Sequence, residues 1–238
     1  MKDTIEPRES RRAFLVKSGM LIATASLSGV ACMGRPDQET KVWKIPPTED
    51  LMREHGILRR IMLVYDEVAR RLKQGEDFDF PLQVLTEANG IIRRFMQDYH
   101  ESNEQFHVFN WFGRAEKMVE LVAILYQQHL AGRKLIDKIK TLSTEDNLKN
   151  PAERSTVADF LTTFNQLYRR HAAWEDTVIF PAFRSVIPPQ DFTAVGETFE
   201  REAEKLFGPD SYQKIVGQVA DLEKTLEIHD LQQFIPRL

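Results

Sequence analysis

Cysteine is almost absent from this chain of 238 residues, where Cys32 stands alone. A lone thiol excludes an internal disulfide and any metal site built from several cysteines. Beyond the N-terminal segment, no apolar run approaches the roughly 18 residues that a membrane-spanning helix needs. Period-two alternation is missing, as are a glycine-rich phosphate loop and a nucleophile motif, which removes the folds and chemistries those signals mark. A basic stripe is missing too. The formal net charge is −4, and because residues 1–31 carry +2, the rest of the chain carries −6. An acidic body of this kind argues against nucleic acid as a partner. What remains, 42% hydrophobic and 29% charged residues, is the composition of one globular domain with a real core.

The first residues belong to a separate problem. Ser10-Arg11-Arg12-Ala13-Phe14-Leu15, then Lys17, then a weakly apolar run from Met20 to Ala31, has the charged start, apolar middle and small-residue end of an export signal. The Arg-Arg run resembles the twin-arginine signal, a receptor-read address for proteins exported already folded. This implies a periplasmic protein, or one anchored on the outer side of the inner membrane. Cys32 sits where the apolar run ends and resembles a lipidated cysteine, although Gly29-Val30-Ala31 lacks the usual leucine and would also serve as a plain cleavage site. A lipid there would be the sole membrane attachment. Residues 1–32 are thus expected as a signal and 33–47 as a polar tether ending in Pro46-Pro47.

The body from 48 onwards reads as helix. Thr48 with Glu49 and Asp50 forms an expected helix start, followed by an apolar stripe through Leu51, His55, Leu58, Met62 and Tyr65 to an end at Gly75. Pro81 opens a second helix whose stripe runs through Leu85, Ile92, Met96, His100 and Glu104 towards Phe109, with a break expected at 110–113. A third spans about Arg114 to Leu142, and Asn150-Pro151 caps a fourth that Pro181 should kink or end. Four long helices joined by short loops predict an all-α, antiparallel up-down four-helix bundle over 48–187. Residues 188–238 are expected as an appendage with two shorter helices, at 189–207 and 209–230.

The chemistry lies in a repeated spacing. His100 precedes Glu104 by four residues, and His171 precedes Glu175 by four, so each pair stacks an imidazole and a carboxylate on one helix face. His55 and His129 add one histidine on each remaining long helix. A single histidine on an apolar stripe is more often packed than ligated. Four of them, one per helix, would leave several buried polar groups unsatisfied without an ion. Neutral imidazole with carboxylate suits iron, zinc and manganese. Glu101 points about 100° away from His100 on an ideal helix, and His107 lies two turns beyond His100. Either could add a ligand or support one, as could Tyr126. Tyr168, Trp174 and Arg133 read as packing or supporting residues, and His229 as solvent-facing.

The order His, His-x-x-x-Glu, His, His-x-x-x-Glu, with Phe180-Pro181 after Glu175, resembles the hemerythrin, or HHE cation-binding, family over about residues 48–185. The resemblance implies a non-haem di-iron centre in a four-helix bundle. Glu104 and Glu175 would bridge two irons, His55 and His100 would hold one, and His129 and His171 the other. Oxygen-carrying members have two histidines four apart on the third helix; here Leu125 and Arg133 occupy those positions. One ion would therefore have a ligand fewer, with room for water, peroxide or another exogenous molecule. The implied ligand is dioxygen, peroxide or nitric oxide. A redox enzyme with an electron donor and a metal-storage or sensing module are the alternatives.

Overall fold

The computed structural model describes residues 45–74 and 81–237. The expected signal, Cys32, nearly all of the tether and Gly75 lie outside them. The described residues form helices and connecting turns, with no strand among them. None of these helices is long and apolar enough to cross a membrane.

Helix α1 (Pro47–Leu72) begins where Pro47, preset in φ, needs no intrahelical donor. Glu49 and Asp50 in its first turn, with Arg70 and Arg71 in its last, complement the helix dipole. The expected cap at Thr48 is corrected: Pro46 occupies the cap position, and Thr48 is buried within the first turn. Helix α2 covers residues 82–114, with Pro81 itself at the cap. It alternates between regular α-helix and wide π-type turns at Ile92–His100 and Glu104–Phe109. The break expected at 110–113 is absent, because Asn110 bonds back to the Phe106 carbonyl at 2.9 Å and fully buried Phe112 anchors the extension. The chain turns only at 115–118, where Glu116 and Met118 adopt left-handed φ of 50° and 51°.

Helix α3 (Val119–Leu142) is followed by a one-turn helix, α4 (Glu145–Lys149), which the sequence did not announce. Helix α5 covers 151–183 and is capped by the Asn150 side chain, which accepts the Ala152 amide at 2.9 Å. Pro181 neither ends nor breaks it. A π turn at Glu175–Ile179 reorganises the ladder, so Pro181 enters at the start of a new α turn, where no donor is required. Helices α6 (Pro189–Phe207) and α7 (Ser211–Thr225) lie against α1, and α7 also against α2. Arg60 on α1 clasps Glu223 on α7 through two bonds of 2.8 and 2.5 Å.

α1 packs on α2 and α5, and α3 packs on the same two helices. Their inward residues make two apolar clusters. One gathers Leu58, Met62, Tyr65, Met96, Ile136, Leu161 and Phe164. The other gathers Leu51, Phe109, Phe112, Leu125, Ile179, Phe180 and Phe199. Along α1 and α3 the second cluster comes first in the chain, and along α2 and α5 it comes last. On each of these four helices the histidine or the His-x-x-x-Glu pair falls near the changeover from one cluster to the other. A polar layer therefore separates two hydrophobic ones.

Candidate metal centre

The changeover point brings together the six residues singled out by spacing. His55, His100, His129, His171, Glu104 and Glu175 are all no more than 2% exposed. Their ligand atoms fall into two groups whose members lie within 4.8 Å of one another: His55, His100 and Glu104, and then His129, His171, Glu104 and Glu175. Glu104 belongs to both. Its Oε1 lies 3.2 Å from His100 Nε2 and its Oε2 lies 3.3 Å from His129 Nε2. Glu175 Oε2 is 3.4 Å from His55 Nε2 and 3.0 Å from His171 Nε2. Each carboxylate thus spans the two imidazole pairs, as a bridging ligand must.

The local helix geometry contributes. Both carboxylates stand at the first residue of a π turn, and the residue five places on is a phenylalanine in each case. Phe109 stacks on His129 (5.6 Å, 12° between planes) and Phe180 stacks on His55 (5.5 Å, 26°). These aromatic faces close one side of the polar layer.

Each imidazole is oriented by a partner at Nδ1. Glu54 meets His100 at 2.7 Å, Asp176 meets His55 at 2.7 Å, Gln105 meets His129 at 2.8 Å and Gln128 meets His171 at 3.0 Å. Such partners fix ring direction and set ligand basicity. They form a closed cycle. Glu54 on α1 supports α2, Gln105 on α2 supports α3, Gln128 on α3 supports α5, and Asp176 on α5 supports α1. Each is the chain neighbour of an inward-facing residue. Those adjacencies, Glu54-His55, Glu104-Gln105, Gln128-His129 and Glu175-Asp176, were visible in the sequence but carried no signal until the helices were placed.

The layer is electrostatically tense. The Nε2 atoms of His55 and His100 and both oxygens of Glu104 and Glu175 are buried with no hydrogen-bond partner. Each such atom costs roughly 1–3 kcal/mol if nothing compensates it. Protons respond accordingly. Burial opposes charge on His100, but attraction to Glu104 and Glu54 carries its pKa well above the usual imidazole value. Burial likewise opposes charge on Glu104, but His100 and His129 hold it well below the usual carboxylate range. A shared proton is here a partial stand-in for a cation. The donor set and the orphaned atoms fit metal ions of the kind that neutral imidazole and carboxylate prefer.

The remaining sequence candidates fall outside the two groups. Glu101 is buried one layer out, where it accepts the Tyr168 hydroxyl at 2.6 Å and faces Arg133 at 3.2 Å. His107 packs its ring on Phe199. Tyr126 is 42% exposed and Trp174 is 53% exposed, so both face solvent. His229 is exposed as well.

The helical fold carries a buried cluster of imidazoles and carboxylates that could hold a metal ion. The chain belongs to the hemerythrin family: the model of the hemerythrin HHE cation binding domain matches residues 47–183. It is also 38% identical over 245 residues to the uncharacterized protein Rv1995 of Mycobacterium tuberculosis, with 99% of this chain and 94% of that protein covered. The uncharacterized protein Mb2018 of Mycobacterium bovis matches with the same identity and coverage. No solved structure matches the chain.

Proposed function

We propose that this chain is a non-haem di-iron protein, folded as an antiparallel up-down four-helix bundle, that binds dioxygen or a related small ligand such as peroxide or nitric oxide. The observation that supports it is the set of six orphaned ligand atoms, two imidazole nitrogens and four carboxylate oxygens, converging in a sealed layer. His55 and His100 would hold one ion and His129 and His171 the other, with Glu104 and Glu175 shared between the two positions. Iron, when bound, supplies redox capacity and open coordination positions for the small ligand.

The protein's own part is to hold those groups still and keep water out. The Nδ1 partners lock the rings, while the apolar clusters and the faces of Phe109 and Phe180 exclude bulk solvent, which governs how a bound ligand behaves. The position that would carry another histidine on α3 is Leu125 or Arg133, which supports an open site over a saturated one. The Ser10-Arg11-Arg12 run supports export in the folded, metal-loaded state, with Cys32 as a lipid site where one is added.

Elemental analysis together with absorption spectroscopy tests the reading. Protein purified from iron-replete cells, reduced and then exposed to air, should contain two irons per chain and develop a new visible band. Zinc alone, or no metal, would overturn it.

A further inference from the structure

The two imidazole pairs are not equivalent. The difference lies in what each does when no ion is present. At the first pair, carboxylates accept at Nδ1: Asp176 on His55 and Glu54 on His100, both at 2.7 Å. An acceptor there keeps a proton on Nδ1 and leaves Nε2 aimed at the Glu104 and Glu175 carboxylates, where a cation can take the place of a proton. Both Nε2 atoms are orphaned. This position is preorganised for a cation.

At the second pair, the supports are neutral amides, and the rings satisfy each other. Gln128 Oε1 accepts from His171 Nδ1 at 3.0 Å, which leaves His171 Nε2 as an acceptor. The Gln105 amide nitrogen faces His129 Nδ1 at 2.8 Å and donates to it, so the His129 proton sits on Nε2. That proton is donated to His171 Nε2 across 2.9 Å. The chain Gln105, His129, His171, Gln128 is therefore complete without an ion. A cation entering here must break the bond between the imidazoles and turn the Gln105 amide, so that its oxygen accepts from Nδ1. The nearby Glu101 carboxylate, engaged by Tyr168 and Arg133, does attract positive charge to His129, but it accepts at neither Nδ1 of this pair, where the partners are the two amides.

We infer that the two positions load in order, with the His55/His100 position filled first and held more tightly, and the His129/His171 position filled second and readily emptied. Two features carry this, the carboxylate support with orphaned nitrogens on one side and the amide support with a self-satisfied pair on the other. The inference rests on the cation-binding reading above and adds an order to it.

The test is a titration of the full, chelator-stripped chain with cobalt(II) alone, followed by visible absorption and calorimetry. Two resolved steps are expected, with dissociation constants about tenfold or more apart. Glu54→Gln and Asp176→Asn keep the shape and remove the charge. Each should weaken the first step by roughly 10- to 100-fold and leave the second nearly unchanged. Gln105→Glu, which makes the second position resemble the first, should tighten the second step and narrow the gap. Circular dichroism of each variant checks that helicity is kept, and the two-step titration of the unaltered chain stands without any variant. Two ions bound with equal affinity, or a Glu54→Gln effect spread evenly over both steps, would overturn the ordering but leave the metal centre. No cobalt bound at all would overturn the cation reading itself.

Discussion

Gly132 on α3 and Tyr168 on α5 touch so closely that a methyl group on Gly132 would lie 2.6 Å from the ring carbon Cζ. The glycine is there for space: its helical backbone would suit any residue, but only a hydrogen lets the phenol pass over it to Glu101. Gly132→Ala should destabilise the protein by about 1–3 kcal/mol through overpacking. Urea unfolding measures this, and a stability equal to that of the parent would show that the Tyr168 ring can move aside without cost.

Glu104 reaches both imidazole pairs, so its removal should not be a local event. For Glu104→Ala, the expected metal content falls from about two ions per chain to well under one. Removing one histidine, as in His171→Ala, should leave the other position occupied. Elemental analysis of the two variants side by side decides it, and a Glu104→Ala protein that still carried both ions would remove its bridging role.

The proton shifts predict a pH dependence for the metal-free chain. His100, His55 and His129 have pKa values raised above 6.5 in the folded state. Their contribution to stability is complete below that value and fades as pH rises through the raised ones. Glu104 and Glu175 are lowered from 4.5, so their contribution is complete above it and fades as pH falls. The metal-free chain should therefore melt highest near pH 5–6 and lower at pH 8. A cation competes with the histidine protons, so the thermal shift it produces should be larger at pH 8 than at pH 6. Melting curves with and without chelator at the two pH values test this, and an equal shift at both would contradict it.

Phe199, on α6, is only 1% exposed and sits in the second apolar cluster, and its carbonyl accepts the Tyr99 hydroxyl at 3.3 Å. The C-terminal helices thus complete the core beside the site. Phe199→Ala should cost about 3–5 kcal/mol. A change within experimental error in the denaturation midpoint would show that α6 is a detachable cover.

Most of the helical arrangement was legible because it rests on one signal, the apolar stripe, which the sequence states at every turn from Leu51 to Tyr65 and from Val157 to Tyr168. The inward histidines were legible for the same reason, as polar residues written into those stripes. The π turns were not. Glu104 and Glu175 begin them without any residue type that marks such a turn, and the sequence reading placed a break at 110–113 and a kink or end at Pro181. Nor was the outer support. Glu54 and Asp176 look like ordinary solvated acids until the neighbouring helix is docked, because their partners are 46 and 121 residues distant in the chain.

The layered interior has a mechanical consequence. Two oily regions, each well packed, are parted by a sheet of ionic groups in which like-signed oxygens face one another across the axis. An ion seated there works as a rivet. Withdraw it, and the two ends of the molecule remain joined by helical backbone but are no longer clamped at the waist. Amide exchange near Tyr99–Gln105 and Ala172–Asp176 should then quicken before either end loosens, so occupancy of the centre would be readable as stiffness far from any colour change.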